Sequence, residues 1–232
     1  MSMSSFFPPP NKLFQNEVNT LNRIKNNPIF KRHFKQLVSD AEDYLLRNSR
    51  PIRKKTLKEL NFKSLINEII LNGQVGTAHV SALITTKNND YAQLTYDIAL
   101  CDNSKIIRKF HFDYTPENIK KRGSHPIFHL QYPGELSTHL LGLKLKHEHL
   151  DSNLSEPRIP FTPMSLALTI NLILKEFPDE RTHSAVEDKT WRELIKTNET
   201  CFLYPYFKEC NTFFLAPHED KLFTNDFCYG SL

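Results

Sequence analysis

Three consecutive segments decide the fold. They are Val75–Thr86 (VGTAHVSALITT), Tyr91–Cys101 (YAQLTYDIALC) and Lys105–Tyr114 (KIIRKFHFDY). All three are rich in valine, isoleucine, threonine and aromatic residues, which favour extended strands. The connections Lys87–Asp90 and Asp102–Ser104 have the length of hairpin turns, and their Asn and Asp residues tolerate the backbone angles that such turns require. The segments therefore predict an antiparallel β-meander.

Two later segments extend the predicted meander to four to five strands. His125–Tyr132, which follows a loop containing Gly123, is predicted as the fourth strand. In Leu141–Leu150, leucines alternate with charged residues, which predicts a fifth strand and leaves a helix as the alternative.

Helices are predicted on the N-terminal side of the strands. Residues 11–26 have a weak helical pattern, and Pro28 suits the first turn of a second helix from Ile29 to about Asn48. A third helix is predicted from about Leu57 to Leu71, with Thr56 as its N-cap.

Helices are also predicted on the C-terminal side of the strands. Met164–Phe177 is apolar around most of its circumference, which is typical of a helix buried on several sides. Pro163 and Pro178 mark its two ends. Another helix is predicted to start near Glu187 and to continue through Cys201–Phe207.

The order of these elements predicts an α+β fold. We expect an antiparallel β-meander of four to five strands, with helices packed on one face and a basic N-terminal helical extension. The expected organisation is a basic helical region at residues 1–72 and a sheet with C-terminal helices at residues 73–232, joined in one continuous fold.

Positive charge is concentrated near the N-terminus. Residues 1–63 contain 13 Lys and Arg against 5 Asp and Glu, whereas the whole chain contains 30 against 26. Such asymmetry indicates an electrostatic partner, nucleic acid or an acidic protein, and a solvated helix surface is the alternative. The candidate nucleic-acid-binding residues are Arg50, Arg53, Lys54 and Lys55 in the densest basic run, and Arg108, Lys109 and Arg122 near the strands.

Composition excludes several classes of protein. Hydrophobic residues make up 39% of the chain and include 17 Phe, which is enough for a core and argues against global disorder. No stretch has the roughly 18 apolar residues of a membrane-spanning helix, so no membrane partner is predicted. The four cysteines have no Cys-x-x-Cys spacing and no signal peptide precedes them, which predicts reduced thiols and a cytoplasmic location. No glycine-rich phosphate loop is present, and no cofactor is predicted.

Strand alternation collects histidines and aspartates on one side of the predicted sheet. Residues two apart on a strand share a face. Pairing the strands in chain order then gives an apolar face for the helices and an opposite polar face. The histidines and aspartates of that polar face are His79, Asp97, His111, Asp113, His125 and His129.

Three interpretations of the polar face are open. The first is a solvent-facing side of an antiparallel sheet, where polar residues are expected. The second is acid–base catalysis on an RNA phosphodiester by His111, Asp113, His125 and His129, with Asp113 orienting an imidazole. The third is a metal site in which His125 and His129 join His111 or Asp113. It is disfavoured because residues four apart on a strand lie about 13 Å apart.

One part of the sequence resembles known proteins. Phe110–Tyr114 (FHFDY) followed by His125–His129 (HPIFH) resembles a pattern in small bacterial proteins of toxin–antitoxin and phage-defence loci. Those proteins have an aromatic-x-aromatic-Asp strand followed by a His-Pro-x-x-His-like strand, and many are domains of unknown function. The resemblance implies a bacterial cytoplasmic protein that acts with the product of a neighbouring gene, with RNA as a candidate substrate. It transfers roles to Asp113, His125 and His129 only.

We therefore expect a bacterial toxin-like or defence-associated protein that engages nucleic acid, with a metal-independent ribonuclease centre as its candidate chemistry. Two alternatives are kept. One is a non-catalytic protein–protein interaction subunit of a multi-component complex, and the other is a metal-dependent hydrolase.

Overall fold

The computed structural model describes residues 7–71, 73–88, 90–102, 105–114, 128–131, 146–147 and 158–215. Within these ranges the chain has the predicted α+β architecture, with a mainly antiparallel sheet and helices before and after it. None of the helices in this part of the chain is long and apolar enough to cross a lipid bilayer. The helices are α1 (Pro10–Asn26), α2 (Pro28–His33), α3 (Lys35–Arg47), α4 (Ser49–Arg53), α5 (Leu166–Glu176), α6 (Glu180–Glu187), α7 (Lys189–Asn198) and α8 (Tyr204–Leu215), with a π-helical turn (Glu199–Leu203) between the last two.

The sheet contains the predicted meander. Its strands are β1 (Glu59–Leu71), β2 (Gln74–Lys87), β3 (Asp90–Asp102), β4 (Lys105–Tyr114), β5 (Phe128–Gln131), β6 (Lys146–His147) and β7 (Arg158–Pro160). Hydrogen-bonded neighbours follow the order β1-β2-β3-β4-β5-β7, and β6 pairs with β4 in parallel. Strands β2, β3 and β4 confirm the three segments that define the meander. The described parts of the predicted fourth and fifth strands are β5 and β6, and the rest of those two segments lies outside the described residues.

The predicted helix from Leu57 to Leu71 is wrong, because this segment is β1. Up to Ile66 the residues at alternate positions are buried, which is the period of a strand. The register then shifts by one residue between Ile66 and Ile69, where Glu68 has a φ of 59°. This β-bulge turns Ile69 inwards as well, so buried isoleucines three positions apart imitate a helical stripe.

The remaining helices differ from the prediction mainly at their ends. The segment from Ile29 to Asn48 forms two helices, α2 and α3, because the backbone of Phe34 leaves the helical region at φ −125° and ψ 53°. Helix α6 has no counterpart in the prediction. It begins at a capping box in which Asp179 and Thr182 satisfy each other's backbone N–H groups.

The hydrophobic core lies between the helices and one face of the sheet. Phe62 of β1 and Tyr96 of β3 pack in the same cluster as Leu21 of α1, Leu37 of α3 and Trp191 of α7, and each is at most 2% exposed. Burying one such side chain contributes roughly 1.5–3 kcal/mol. The N-terminal helices therefore pack on the sheet in the same core as the C-terminal helices.

One carboxylate is enclosed in this core. Glu17 of α1 accepts a hydrogen bond of 2.6 Å from the Tyr96 hydroxyl and one of 3.2 Å from the backbone N–H of Leu166, at the start of α5. The burial of Glu17 raises its pKa to about 7, although the hydrogen bonds from Tyr96 and Leu166 act in the opposite direction. Glu17 thus joins α1, β3 and α5 around a single polar group.

Candidate acid–base site

The register of the strands brings polar residues together on the sheet face opposite the core. Directly opposite residues of antiparallel strands point to the same side, with Cβ atoms about 4.5–5.5 Å apart. The opposed pairs are Ser81 with Asp97, Asp97 with His111, Thr95 with Asp113, and Asp113 with His129. We call these six residues the Asp–His cluster.

The centre of the cluster is His111, which lies between two carboxylates. Its Nδ1 atom contacts Oδ1 of Asp97, and its Nε2 atom lies 2.6 Å from Oδ2 of Asp113. Both ring nitrogens are therefore within hydrogen-bond distance of a carboxylate oxygen. The two contacts fix the plane of the imidazole ring.

Each of these carboxylates is held by a hydroxyl group from the neighbouring strand. Ser81 Oγ donates to Oδ2 of Asp97 over 2.8 Å, and Thr95 Oγ1 donates to Oδ1 of Asp113 over 2.7 Å. The hydrogen bonds therefore form a continuous chain across β2, β3 and β4. Such networks restrict the rotamers of every member.

His129 of β5 is the second imidazole at the cluster. Its Nε2 atom lies 3.7 Å from the same Oδ2 atom of Asp113 that contacts His111. The two imidazoles therefore meet at one carboxylate oxygen. Asp113 and His129 lie on different strands, and the register of β4 and β5 places them side by side.

The carboxylates determine the charge of His111. Its burial lowers the pKa, but the hydrogen bonds and negative charges of Asp113 and Asp97 outweigh this effect and raise the pKa of His111 to about 10. Burial likewise raises the pKa of Asp113, but the hydrogen bond and positive charge of His111 hold it below its ordinary value. The raised pKa favours the protonated form of His111 at neutral pH, and the lowered pKa favours the ionised form of Asp113.

Most of the cluster is shielded from solvent. Asp97 and His129 are 2% and 3% exposed, and Ser81 and Thr95 are also buried. The side chains of His111 and Asp113 are 15% and 20% exposed. The interpretation as a solvent-facing sheet surface is therefore wrong for these residues.

Two other histidines were expected on this face. His79 of β2 is opposite Ala99, in the next cross-strand row, and its half-buried position lowers its pKa. No described contact joins His79 to the cluster. His125 lies outside the described residues, so its predicted catalytic role stays a prediction.

The basic residues predicted to bind nucleic acid fall into three groups. Arg50, Arg53, Lys54 and Lys55 are exposed on and after α4, and Arg108 is exposed on β4. Lys109 is only 7% exposed and shares the face of His111, so it does not belong to an open basic surface. Arg122 lies outside the described residues.

Three cluster residues were missing from the predicted site, namely Asp97, Ser81 and Thr95. The alternation pattern places Asp97 on the correct face, but its role depends on which residue of β4 is opposite to it. The hydroxyl groups of Ser81 and Thr95 give no signal on their own, because Ser and Thr are common in strands of any function. The signal is their cross-strand position beside an aspartate.

The described residues contain no group of three or more His, Cys, Asp or Glu side chains arranged to hold a metal ion. In the cluster, both nitrogens of His111 face carboxylates rather than a shared coordination point. Comparison of the chain with protein-family models, curated proteins and solved structures found no match.

Proposed function

We propose that this protein binds nucleic acid through an exposed cationic segment, residues 47–58. The segment covers the end of α3, all of α4 and the approach to β1. It contains no Asp or Glu, and all its basic side chains are exposed. Those side chains are Arg47, Arg50, Arg53, Lys54, Lys55 and Lys58.

The charges of this segment are not neutralised within the described part of the chain. Arg47 and Arg53 direct Nε towards the backbone carbonyls of Asp43 and Ser49, over 3.3 Å in each case. The salt bridges found among the described residues involve other cations. A dense, unpaired positive segment binds a phosphate backbone by releasing its counterions, and it needs no base-specific contact to do so.

A second candidate function is RNA cleavage at the Asp–His cluster, and the convergence of two imidazoles on Asp113 favours it. In this reaction a base removes the proton of the ribose 2′-hydroxyl, and the 2′ oxygen attacks the adjacent phosphorus. The bond from phosphorus to the 5′ oxygen breaks, and an acid gives a proton to that oxygen. We assign the base to His129, oriented by Asp113, and the positive charge that stabilises the phosphorane to His111. A water molecule protonates the leaving 5′ oxygen, and the hydroxide that forms takes up the proton that His129 removed from the 2′-hydroxyl.

The burial of His129 sets a condition on this chemistry. A side chain that is 3% exposed reaches a phosphodiester only if its surroundings open locally. Because cleavage needs this local opening and binding at the exposed residues 47–58 does not, the two activities are tested separately. The alternative from the sequence is a non-catalytic protein–protein interaction subunit, which requires neither RNA binding nor RNA cleavage.

The biological setting is part of the same proposal. We place the protein among bacterial toxin-like or defence-associated proteins that act with a partner encoded nearby. The support is the resemblance of the strand carrying Asp113 and the strand carrying His129, which contact each other in the fold.

Binding is tested with a labelled single-stranded RNA and fluorescence anisotropy over a salt series. Replacing Arg50, Arg53, Lys54 and Lys55 by Ala should weaken binding and lower the log–log salt slope by up to about 3, from about 0.7 per lost phosphate contact. The matched control removes the same charge from exposed positions elsewhere, at Lys175, Lys189, Arg192 and Lys196. Equal affinity of the wild type and the first variant would refute the cationic-segment proposal.

Cleavage is tested by incubating the same RNA with excess EDTA and analysing the products for a 2′,3′-cyclic phosphate. We expect product with the wild type and a loss of at least 100-fold in rate for His129→Ala and Asp113→Asn. Wild-type activity in His129→Ala would exclude the assigned base. Activity that disappears with EDTA would instead support a metal-dependent hydrolase.

A further inference from the structure

The cross-strand contacts of His111 restrict what this residue does. An ionised carboxylate only accepts hydrogen bonds, and a neutral imidazole has a single N–H group to donate. With carboxylate oxygens at both Nδ1 and Nε2, a neutral ring would direct one lone pair at a carboxylate. For both contacts to be hydrogen bonds, both ring nitrogens of His111 must carry a proton. That is one proton more than a neutral imidazole has.

That proton resides on the imidazole. The ordinary affinity for protons is higher for imidazole, with a pKa of about 6.5, than for an aspartate, with a pKa of about 3.9. Asp97 and Asp113 also each accept a hydroxyl hydrogen bond, from Ser81 and Thr95, at the carboxylate oxygen that does not contact His111.

We propose that Asp97, held by Ser81, is a positioning residue that locks His111 as a doubly protonated cation beside Asp113. His111 then has no lone pair to accept a proton and does not act as the base of the site. Its role is to keep Asp113 ionised and to supply a fixed positive charge. This inference rests on the proposed acid–base function for its kinetic consequences, but the charge state of His111 is measurable without any activity.

The surroundings of His111 come from three strands besides its own. Among the described residues of β2 to β5, the titratable groups on this face within one cross-strand row of His111 are His79, Asp97, Lys109, Asp113 and His129. Among them Asp97 is the one that faces Nδ1 directly. Asp97→Asn keeps the size of the side chain but presents an amide N–H to Nδ1 of His111. Nδ1 would then accept a hydrogen bond, and the imidazole ring would be neutral.

The test is an imidazole ¹H–¹⁵N correlation experiment on the whole protein between pH 5 and pH 8. The His111 signals are assigned by their loss in His111→Gln. In the wild type we expect both His111 nitrogens to stay protonated over the whole range. In Asp97→Asn we expect a titration to enter the range, which from a pKa of about 10 is a downward shift of at least about two pH units.

The controls separate a local from a general effect. Ser81→Ala keeps the carboxylate of Asp97, and we expect a smaller shift than in Asp97→Asn. Asp102→Asn removes a carboxylate at the end of the same strand, and we expect the His111 signals to stay unchanged. A single N–H, or a titration of His111 near pH 6.5 in the wild type, would overturn the proposal. This measurement is decisive even if Asp97→Asn does not fold.

Kinetics supply a second readout where RNA is cleaved. A positioning role predicts that Asp97→Asn lowers kcat and changes the shape of the pH–rate profile while KM stays within about twofold. An unchanged profile together with a general loss of folded protein would assign Asp97 a purely structural role. If wild-type RNA cleavage is absent altogether, the nitrogen protonation still tests the lock, so failure of the proposed function and failure of this inference are distinguishable.

Discussion

The buried carboxylate of Glu17 should make the stability of the protein depend on pH in a specific direction. Burial raises its pKa from 4.5 to about 7. A group whose pKa is higher in the folded state binds more protons there, so its favourable contribution is complete below pH 4.5 and is lost as the pH rises through 7. The pH window of the effect is therefore pH 4.5 to 7.

The magnitude follows from the same two values. At 1.36 kcal/mol per pH unit, the full loss is about 3 kcal/mol, of which about 2.5 kcal/mol falls between pH 5 and pH 8. Glu17→Gln removes this dependence, because an amide does not ionise. If the Gln oxygen accepts from Tyr96, the amide nitrogen lies near the N–H of Leu166, which costs about 1–2 kcal/mol at every pH and cancels in the comparison of two pH values.

Urea unfolding at several pH values measures the effect. Trp191 is the single tryptophan and is 1% exposed, so its fluorescence reports unfolding of the core. We expect the stability difference between wild type and Glu17→Gln to change by about 2.5 kcal/mol from pH 5 to pH 8. Glu176→Gln, at an exposed position of α5, is the control and should show no such change. If the two proteins have parallel pH dependences, Glu17 does not titrate in this range and the reasoning fails.

Three further predictions concern the packing and the bulge, and all are measured by urea or thermal unfolding. Leu21→Ala should destabilise the protein by about 3 kcal/mol, because Leu21 is fully buried; a loss below about 1 kcal/mol would show that this part of the core is loosely packed. Gly76→Ala should cost about 1–3 kcal/mol, because a Cβ atom there would lie 2.6 Å from the carbonyl oxygen of Cys101; an unchanged midpoint would contradict this close approach. Arg181→Ala should cost about 1 kcal/mol, because Arg181 holds the carboxylate and the backbone carbonyl of Glu68. If the stability difference between the wild type and this variant is the same in low and high salt, the result argues against that ion pair.

The strands of the meander were predictable because their signal is local. Alternation over Val75–Thr86, Tyr91–Cys101 and Lys105–Tyr114, with short polar turns between them, determines both the strand type and the pairing order. The same alternation placed Asp97, His111, Asp113 and His129 on one face. Local patterns were sufficient here because antiparallel neighbours in sequence are also neighbours in space.

The errors have a non-local cause. Strand β1 resembles a helix because the bulge at Glu68 shifts its buried side, and a bulge is stabilised by partners distant in sequence such as Arg181. The burial of the polar face was not predictable either, since alternation separates two faces but does not show which of them solvent reaches. The contacts of Ser81 and Thr95 with the aspartates depend on the exact register between strands, which composition does not determine.

The bulge in β1 has a consequence for how copies of the protein behave at high concentration. Among the described strands, β1 ends the order of hydrogen-bonded neighbours on one side, so its outer backbone groups offer a template for another chain. The kink at Glu68 interrupts that template, and Lys63 places a charge on it. A substitution that removes the bulge at Glu68 and its ion pair to Arg181 would leave a longer flat edge strand. Other copies of the protein could then add strands at this edge, and self-association into fibrous material would become the principal risk.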